Sequence, residues 1–359
     1  YNRIVSNRKW IKRGLILKAL VLEEYNRIVY KDVSEPVLGT KDVMVRVKAC
    51  GICGSDVHGM DGSTGRRIPP LIMGHEASGV VTGVGSEVKT IQPGERVTFD
   101  STVYCGTCFY CRRGDINLCN HRRVLGVSCD EYRQNGAFAE LVMVPQHIVY
   151  PLPAKVNFAQ GAMVEPCSVA YHAVSHSLPT PADTAVVVGA GIIGLLVVQI
   201  LRAGGCRQII AVDLEPDKLK LACQFGADVG LNPGRDDVIS RIKKMTAQRG
   251  ADVAFDAVGI DASFKTTIGS LRKGGDLTLI GNLSSDISLP LQTVVTGEIT
   301  LNGSCASRGE YPACLEMIAA GTLKVDPIIT AVAPLAEGAK WFGRLYRNEK
   351  DLLKVILEP

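Results

Sequence analysis

Two thiols, three hydroxyls, two imidazoles and three carboxylates fall within one stretch, residues 47–76, VKACGICGSDVHGMDGSTGRRIPPLIMGHE. Cys53, Ser55, Asp56 and His58 occupy a glycine-punctuated turn at the end of an expected strand. His75 and Glu76 come after an apolar approach, Pro69-Pro70-Leu71-Ile72-Met73. A thiolate, an imidazole and a carboxylate placed by short turns suit zinc in a site with an open coordination position. Taken alone, Cys53 reads as a structural cysteine and His75 as a core histidine. The rest of the chain decides for the metal.

A second set of donors lies downstream. Cys105, Cys108 and Cys111 are spaced by three, and Cys119 comes after seven further residues. Four thiolates from one loop can close a tetrahedral site, which is what a structural zinc needs. A redox pair would not need four clustered cysteines. Further on, Glu165 stands in the apolar, helix-like run FAQGAMVEPCSVAYHAVSHS, where a carboxylate is costly unless it is paired or binds a metal. A helix-start cap beside Pro166 is the plainer reading of Glu165, and Cys167 is a competing metal ligand.

Residues 184–201, TAVVVGAGIIGLLVVQIL, form a long apolar run. Three glycines and Gln199 interrupt it, so it parses as a buried strand, a turn and a helix rather than a membrane span. The turn is Gly189-Ala190-Gly191-Ile192-Ile193-Gly194. Two glycines there allow a tight turn and close approach of a pyrophosphate to the helix N-terminus, and the third allows helix and strand to pack closely. A second strand, QIIAV, leads to Asp213, nineteen residues after Gly194. A carboxylate at that point accepts hydrogen bonds from the adenosine ribose and repels a 2′-phosphate, which favours NAD over NADP. Lys218 could also reach the ribose, or be a solvated surface lysine. Val258 and the run Ile280-Gly281-Asn282 end later strands and are expected to face the nicotinamide.

The elements that must position these groups divide in two. Residues 17–98 have a β texture, with valine- and isoleucine-rich runs broken by Gly, Pro and Asp. From residue 184, strand and helix patterns alternate, as in a doubly wound parallel sheet. The tail beyond residue 311 supplies two helices and a final strand, KVILEP, expected to return to the first domain. The fold class is therefore α/β, a β-rich domain joined to a Rossmann sheet. With 359 residues the chain is long enough for two cores. Its net charge of +4 includes six basic and no acidic residues in positions 1–22, so the rest is near neutral and carries no nucleic-acid footprint. Twelve cysteines, clustered rather than spread, fit metal binding in a reducing compartment. Residues 1–16 are expected to be an extension outside the fold. A transit peptide is the second reading of their basic, acid-poor composition.

The motifs CGICGSDVH, GHEASGVV, the four-cysteine loop, GAMVEP and GAGIIG stand in the order found in the zinc-dependent medium-chain dehydrogenase/reductase family. From residue 17 onward the chain resembles its polyol, sorbitol-like dehydrogenase branch. The resemblance implies a GroES-like catalytic domain over 17–165, a Rossmann NAD-binding domain over 166–304 and a return segment over 305–359. It implies a catalytic zinc on Cys53 and His75, with Glu76 and Glu165 as exchanging partners, and a structural zinc on Cys105, Cys108, Cys111 and Cys119. Ser55 and His58 match the family's proton relay, and Glu165 takes the place of the classical enzymes' cysteine, which speaks against Cys167. The implied activity is hydride transfer from a secondary alcohol of a polyol or polyol phosphate to NAD, by a cytoplasmic homodimer or homotetramer that engages neither nucleic acid nor membrane. Threonine or butanediol dehydrogenase activity on the same site, and a non-catalytic NAD-binding regulator, are the alternatives. Animal sorbitol dehydrogenases carry a tyrosine after the relay histidine and an Arg-Tyr pair near the end of the Rossmann domain. Gly59 and Ala306-Ser307 replace them here, and Arg66, Arg67 or Arg308 would be the groups to meet a phosphate.

Overall fold

The computed structural model describes residues 16–359. The expected extension therefore lies outside the described residues except for Ile16, which opens the strand Ile16–Glu24. Two separate sheets organise the described chain. A seven-stranded sheet runs in the order Val149–Pro151, Arg96–Phe99, Glu76–Val84, Asp42–Gly51, Lys354–Glu358 and Ile329–Pro334, with Leu141–Pro145 also paired to Asp42–Gly51. The alternation in DVMVRVKACG puts Val43, Val45 and Val47 into a core with Phe99, Phe138 and Phe342. A six-stranded sheet, parallel throughout, runs in the order Val229–Leu231, Gln208–Val212, Thr184–Val188, Ala251–Asp256, Leu271–Leu279 and Thr300–Gly303. Its central strand TAVVV is buried at every residue, as a parallel strand covered by helices on both faces must be.

The apolar run 184–201 separates into the strand Thr184–Val188 and the helix Ile192–Ala203. Among the described residues no helix is long and apolar enough to cross a membrane. The turn shows why glycine is required. Gly189 has φ +93°, and a Cβ on Gly194 would lie 1.8 Å from the Gly189 carbonyl oxygen. A Cβ on Gly191 would meet nothing within 4 Å, so the surface above that residue is open.

Some elements differ from expectation. The turn holding Ser55 and His58 is a short helix, Gly54–Gly59, with extended Cys53 at its N-cap. The helical run after residue 158 is two helices, Phe158–Ala162 and Val164–Ser175, meeting at Met163. The tail holds a strand between its helices, Ile329–Pro334, which pairs in parallel with Lys354–Glu358. That last strand also pairs with the catalytic-side sheet, Ile356 opposite Gly51 and Leu357 opposite Cys50, so the tail returns as expected.

Lys354 locks this return. It is fully buried, and its ammonium lies 2.8 and 2.5 Å from the two carboxylate oxygens of Glu76 and 3.0 Å from the Ile52 carbonyl. Burial works to lower its pKa, but Glu76 and then Cys53 outweigh it and hold the lysine above its usual value. Lys354→Met would leave Glu76 as a buried, unpaired charge, so unfolding by urea should show a loss of about 3–5 kcal/mol.

Candidate metal and cofactor site

Two groups of donor side chains converge. The ligand atoms of Cys53, His75 and Glu76 all lie within 4.8 Å of one another, and so do those of Cys105, Cys108, Cys111 and Cys119. The first group forms where the strand Asp42–Gly51 ends and the strand Glu76–Val84 begins, beside the helix Gly54–Gly59. Gly51 pairs with Glu76, which brings the two chain segments side by side.

His75 is buried. Its Nδ1 lies 3.5 Å from Asp56 Oδ1, and among the described residues neither Nδ1 nor Asp56 Oδ2 has a hydrogen-bond partner. Burial would lower the imidazole pKa, but Asp56 and then Cys53 raise it well above its usual value. Asp56 is itself held down at about 2: burial opposes this, and His75 and Arg67 overcome it. A buried ring nitrogen and a carboxylate oxygen without partners among the described residues, beside a thiol and a second carboxylate, make a donor set that fits zinc.

Glu165, half-buried at the start of the helix Val164–Ser175, faces the same region. Its Oε1 accepts a hydrogen bond from Ser101 at 3.0 Å. Burial, reinforced by Glu76 and opposed by His75, pushes its pKa up to about 7. Cys167 lies instead in the apolar core with Leu195 and Cys314, its thiol pushed well above its ordinary value by burial. Ser55 Oγ is 3.3 Å from Cys53 Sγ, and His58 is exposed on the wall of a cleft of about 830 Å³.

That cleft runs from Ile52, Gly54 and His58 to Ile192, Glu215 and Lys218 at the ends of the parallel strands. Asp213 anchors the glycine turn. One of its oxygens accepts from Ala190 N at 2.7 Å, the other from Glu215 N at 2.9 Å. Gly191 with its open face and Ile192 and Ile193 at the helix N-terminus leave a cradle for a pyrophosphate. A second recess, about 440 Å³, is lined by Gly259, Ile280, Gly281 and Asn282 together with Ser304 and Cys305. Val258 backs it: a Cβ on Gly281 would lie 2.4 Å from the Val258 backbone.

The four-cysteine loop is drawn together in the same manner. Cys108 Sγ is 3.5 Å from Cys111 Sγ and 3.9 Å from Cys119 Sγ, and the backbone N–H groups of Thr107 and Cys108 point at Cys105 Sγ. Those donors bring Cys105 down to about 5, whereas burial and Cys108 push Cys111 up to about 12. Thiols this close cannot all ionise unless a cation joins them.

Residues 39–154 match the alcohol dehydrogenase GroES-like domain, and residues 193–320 match the zinc-binding dehydrogenase model. The chain is 34% identical to a probable D-xylulose reductase A of Emericella nidulans, over 95% of its own length and 96% of the relative's. The chain belongs to the zinc-dependent medium-chain dehydrogenase/reductase family, in its polyol branch. The sorbitol dehydrogenase of Bacillus subtilis is 31% identical to this dehydrogenase, over 96% of this chain and 97% of its own. An Escherichia coli oxidoreductase/dehydrogenase of unknown specificity superposes with a TM-score of 0.91, at 27% identity, over 96% of this chain and 99% of its own. The protein is thus an enzyme, a zinc- and NAD-dependent alcohol dehydrogenase.

Several site features are not visible in the motifs. Arg67, read from sequence as a possible phosphate contact, is buried against Asp56 and Ser55. Arg308 pairs with Asp115 at 3.0 Å, which leaves Arg66, exposed, as the one of the three outside an ion pair among the described residues. Asp100 lies next to Ser101 and accepts from Thr102 N at 2.8 Å and Ser307 Oγ at 3.1 Å. With Thr98, Ser101 and Thr102 around it, nothing in the sequence signals that Asp100 is buried.

Asp100 and the four-cysteine loop can each be tested directly. Burial raises Asp100 to about 6, so the folded state keeps a proton that the unfolded chain gives up from about pH 4, and stability falls as pH rises between these values. Asp100→Asn should therefore be neutral near pH 4 and stabilising by about 1–3 kcal/mol at pH 7.5, read from urea unfolding at each pH. Cys111→Ser should lose one metal equivalent by atomic absorption and open residues 105–119 to limited proteolysis.

Proposed function

We propose that this enzyme oxidises a secondary alcohol of an unphosphorylated polyol to a ketose with NAD. The observation that carries this reading is the convergence of Cys53, His75 and Glu76 within 4.8 Å, with Glu165 facing them and an NAD-type cleft alongside. Residues 17–165 and 305–359 form the catalytic domain on this reading, and residues 166–304 the Rossmann domain. Cys53 and His75 hold the zinc, with Glu76 and Glu165 as exchanging partners, and the four-cysteine loop holds a structural zinc. Bound there, zinc would supply a Lewis acid for the substrate hydroxyl and NAD would supply the hydride acceptor.

The chain's own groups do the rest. Ser55 Oγ, beside Cys53, would take the hydroxyl proton as it gives up its own toward His58, which is exposed on the cleft wall and would pass a proton on to solvent. Glu165, bonded to Ser101, is held by that contact on the side of the site where it would exchange with Glu76. Asp213, at the glycine turn, would meet the adenosine ribose and set the preference for NAD over NADP, with Lys218 on the cleft wall as a second ribose contact. Arg67 and Arg308 are engaged in ion pairs, which leaves exposed Arg66 as the one of the three candidate phosphate contacts outside an ion pair among the described residues, and an unphosphorylated polyol is the substrate that needs none of them. A cytoplasmic homodimer or homotetramer is the setting proposed for this activity. Threonine and butanediol remain the competing substrates of the same site.

The test is NADH formation by zinc-loaded enzyme with sorbitol, xylitol, galactitol, galactitol 1-phosphate, 2,3-butanediol and L-threonine. Turnover on an unphosphorylated polyol is expected, and activity confined to the phosphate, the diol or threonine would overturn the substrate class. Cys53→Ser should abolish turnover, about 10³-fold or more, while NADH binding by fluorescence stays within about twofold.

A further inference from the structure

Among the described residues Arg67 is the one arginine that is buried, with 4% of its surface exposed. Its Nε and Nη2 donate to Asp56 Oδ1 at 3.2 and 2.8 Å, Nη2 also donates to Ser55 Oγ at 3.2 Å, and Nη1 donates to the Arg66 carbonyl at 3.0 Å. Two of these acceptors lead to the donor cluster. Ser55 Oγ is 3.3 Å from Cys53 Sγ, and Asp56 Oδ1 is 3.5 Å from His75 Nδ1. One guanidinium therefore stands one step from the thiol and one step from the imidazole.

The surroundings are shaped to hold it. A Cβ on Gly59 would lie 2.5 Å from Arg67 Cγ, so the arginine stem occupies the space any side chain at position 59 would need. On the other side the backbone of residues 66–67 is tied to the strand Val127–Ser128, where Ser128 N donates to the Arg66 carbonyl. A planar fork with fixed donors can hold a hydroxyl and a carboxylate at once, which an ammonium on a flexible stem cannot do with the same geometry.

We propose that Arg67 is a positioning residue of the metal centre, fixing Ser55 and Asp56 and, through them, the Cys53 thiolate and the His75 ring. The proposal rests on the metal-site reading of Cys53, His75 and Glu76. A merely structural Arg67–Asp56 ion pair would need only a positive charge beside Asp56, and the contact to Ser55 would be incidental.

Arg67→Lys and Arg67→Met separate these cases, each reconstituted with Co²⁺ and with Zn²⁺. The first readout is the Co²⁺ affinity of the Cys53 site, from its thiolate charge-transfer band under chelator competition. The second is kcat and KM for the best polyol of the panel. Both variants are expected to lose about 10–100-fold in cobalt affinity or kcat, with KM for NAD and loading of the four-cysteine loop within about threefold of wild type. Arg67→Lys indistinguishable from wild type in both readouts would overturn the proposal and leave a plain ion pair. Should Arg67→Met fail to fold, Arg67→Lys and Gly59→Ala decide. The latter displaces the stem without removing a charge and is expected to lower kcat about tenfold with folding intact. Unchanged kcat and cobalt affinity in both would overturn the proposal. Cobalt spectra identical in wild type and Cys53→Ser would overturn the metal reading and this proposal together. Normal wild-type loading with unaffected Arg67 variants would overturn this proposal alone.

Discussion

Glu76 and Lys354 are 278 residues apart in sequence, and their charged groups meet 2.5 Å apart in the interior. The same ammonium reaches the Ile52 carbonyl, one residue before Cys53. Three segments are thereby pinned at one point: the end of the strand Asp42–Gly51, the start of Glu76–Val84 and the returning strand Lys354–Glu358. A buried ion pair of this kind gains little over well-packed apolar residues, because both charges must leave water. Its contribution is position. The return strand cannot slip by a residue without separating the pair, and Glu76 is held facing the cluster it shares with Cys53 and His75.

The same device recurs around the catalytic side. Asp56 pairs with Arg67 in the interior. His172 Nδ1 lies 2.8 Å from a Glu310 carboxylate oxygen, while Asn117, inside the four-cysteine loop, approaches its Nε2 at 3.3 Å. Each pair withdraws an acid from water beside a base or a ring, and each joins separate segments of chain. The His172–Glu310 contact ties the helix Val164–Ser175, which carries Glu165, to the start of the helix Tyr311–Ala319. Tyr150 stacks on Tyr311 at 5.0 Å and closes the same seam from the seven-stranded sheet. The cofactor side is built differently. There the positioning groups are backbone amides and glycine turns, and the side chains that organise them, Asp213 and Asp256, each do so by accepting two backbone N–H groups, Asp256 from Val258 and Gly259.

The parts legible in the sequence are those whose signal is local. The four cysteines declare themselves by spacing, the glycine turn by its place between a β-branched run and an apolar helix, and Cys53 with His75 by soft and borderline donors near short turns. Asp213 can be placed because the βα unit has a fixed length. The illegible parts depend on distant contacts. Lys354 sits in KVILEP as an ordinary strand-end lysine, and nothing nearby announces that Glu76 will meet it. Arg67 reads as one of two adjacent surface arginines, yet Arg66 is exposed and Arg67 buried, because the strand pairing near Ser128 turns one outward and the other inward. The strand Ile329–Pro334 escapes because its outward residues are not polar enough to mark an alternation, with Val332 52% exposed.

The departures from the animal sorbitol dehydrogenases acquire physical reasons here. Where the resemblance expects a tyrosine, the Arg67 stem fills the volume beside Gly59, and where it expects an arginine–tyrosine pair at Ala306-Ser307, Ser307 is buried and donates to Asp100. Neither position can reach out to grip a substrate. On the proposed reading, recognition of a polyol then falls to the groups that remain around Glu165, above all Ser101, which is bonded to it. The space beside Gly59 goes instead to the Arg67 stem that holds Ser55 and Asp56, and Ser307 goes to holding Asp100.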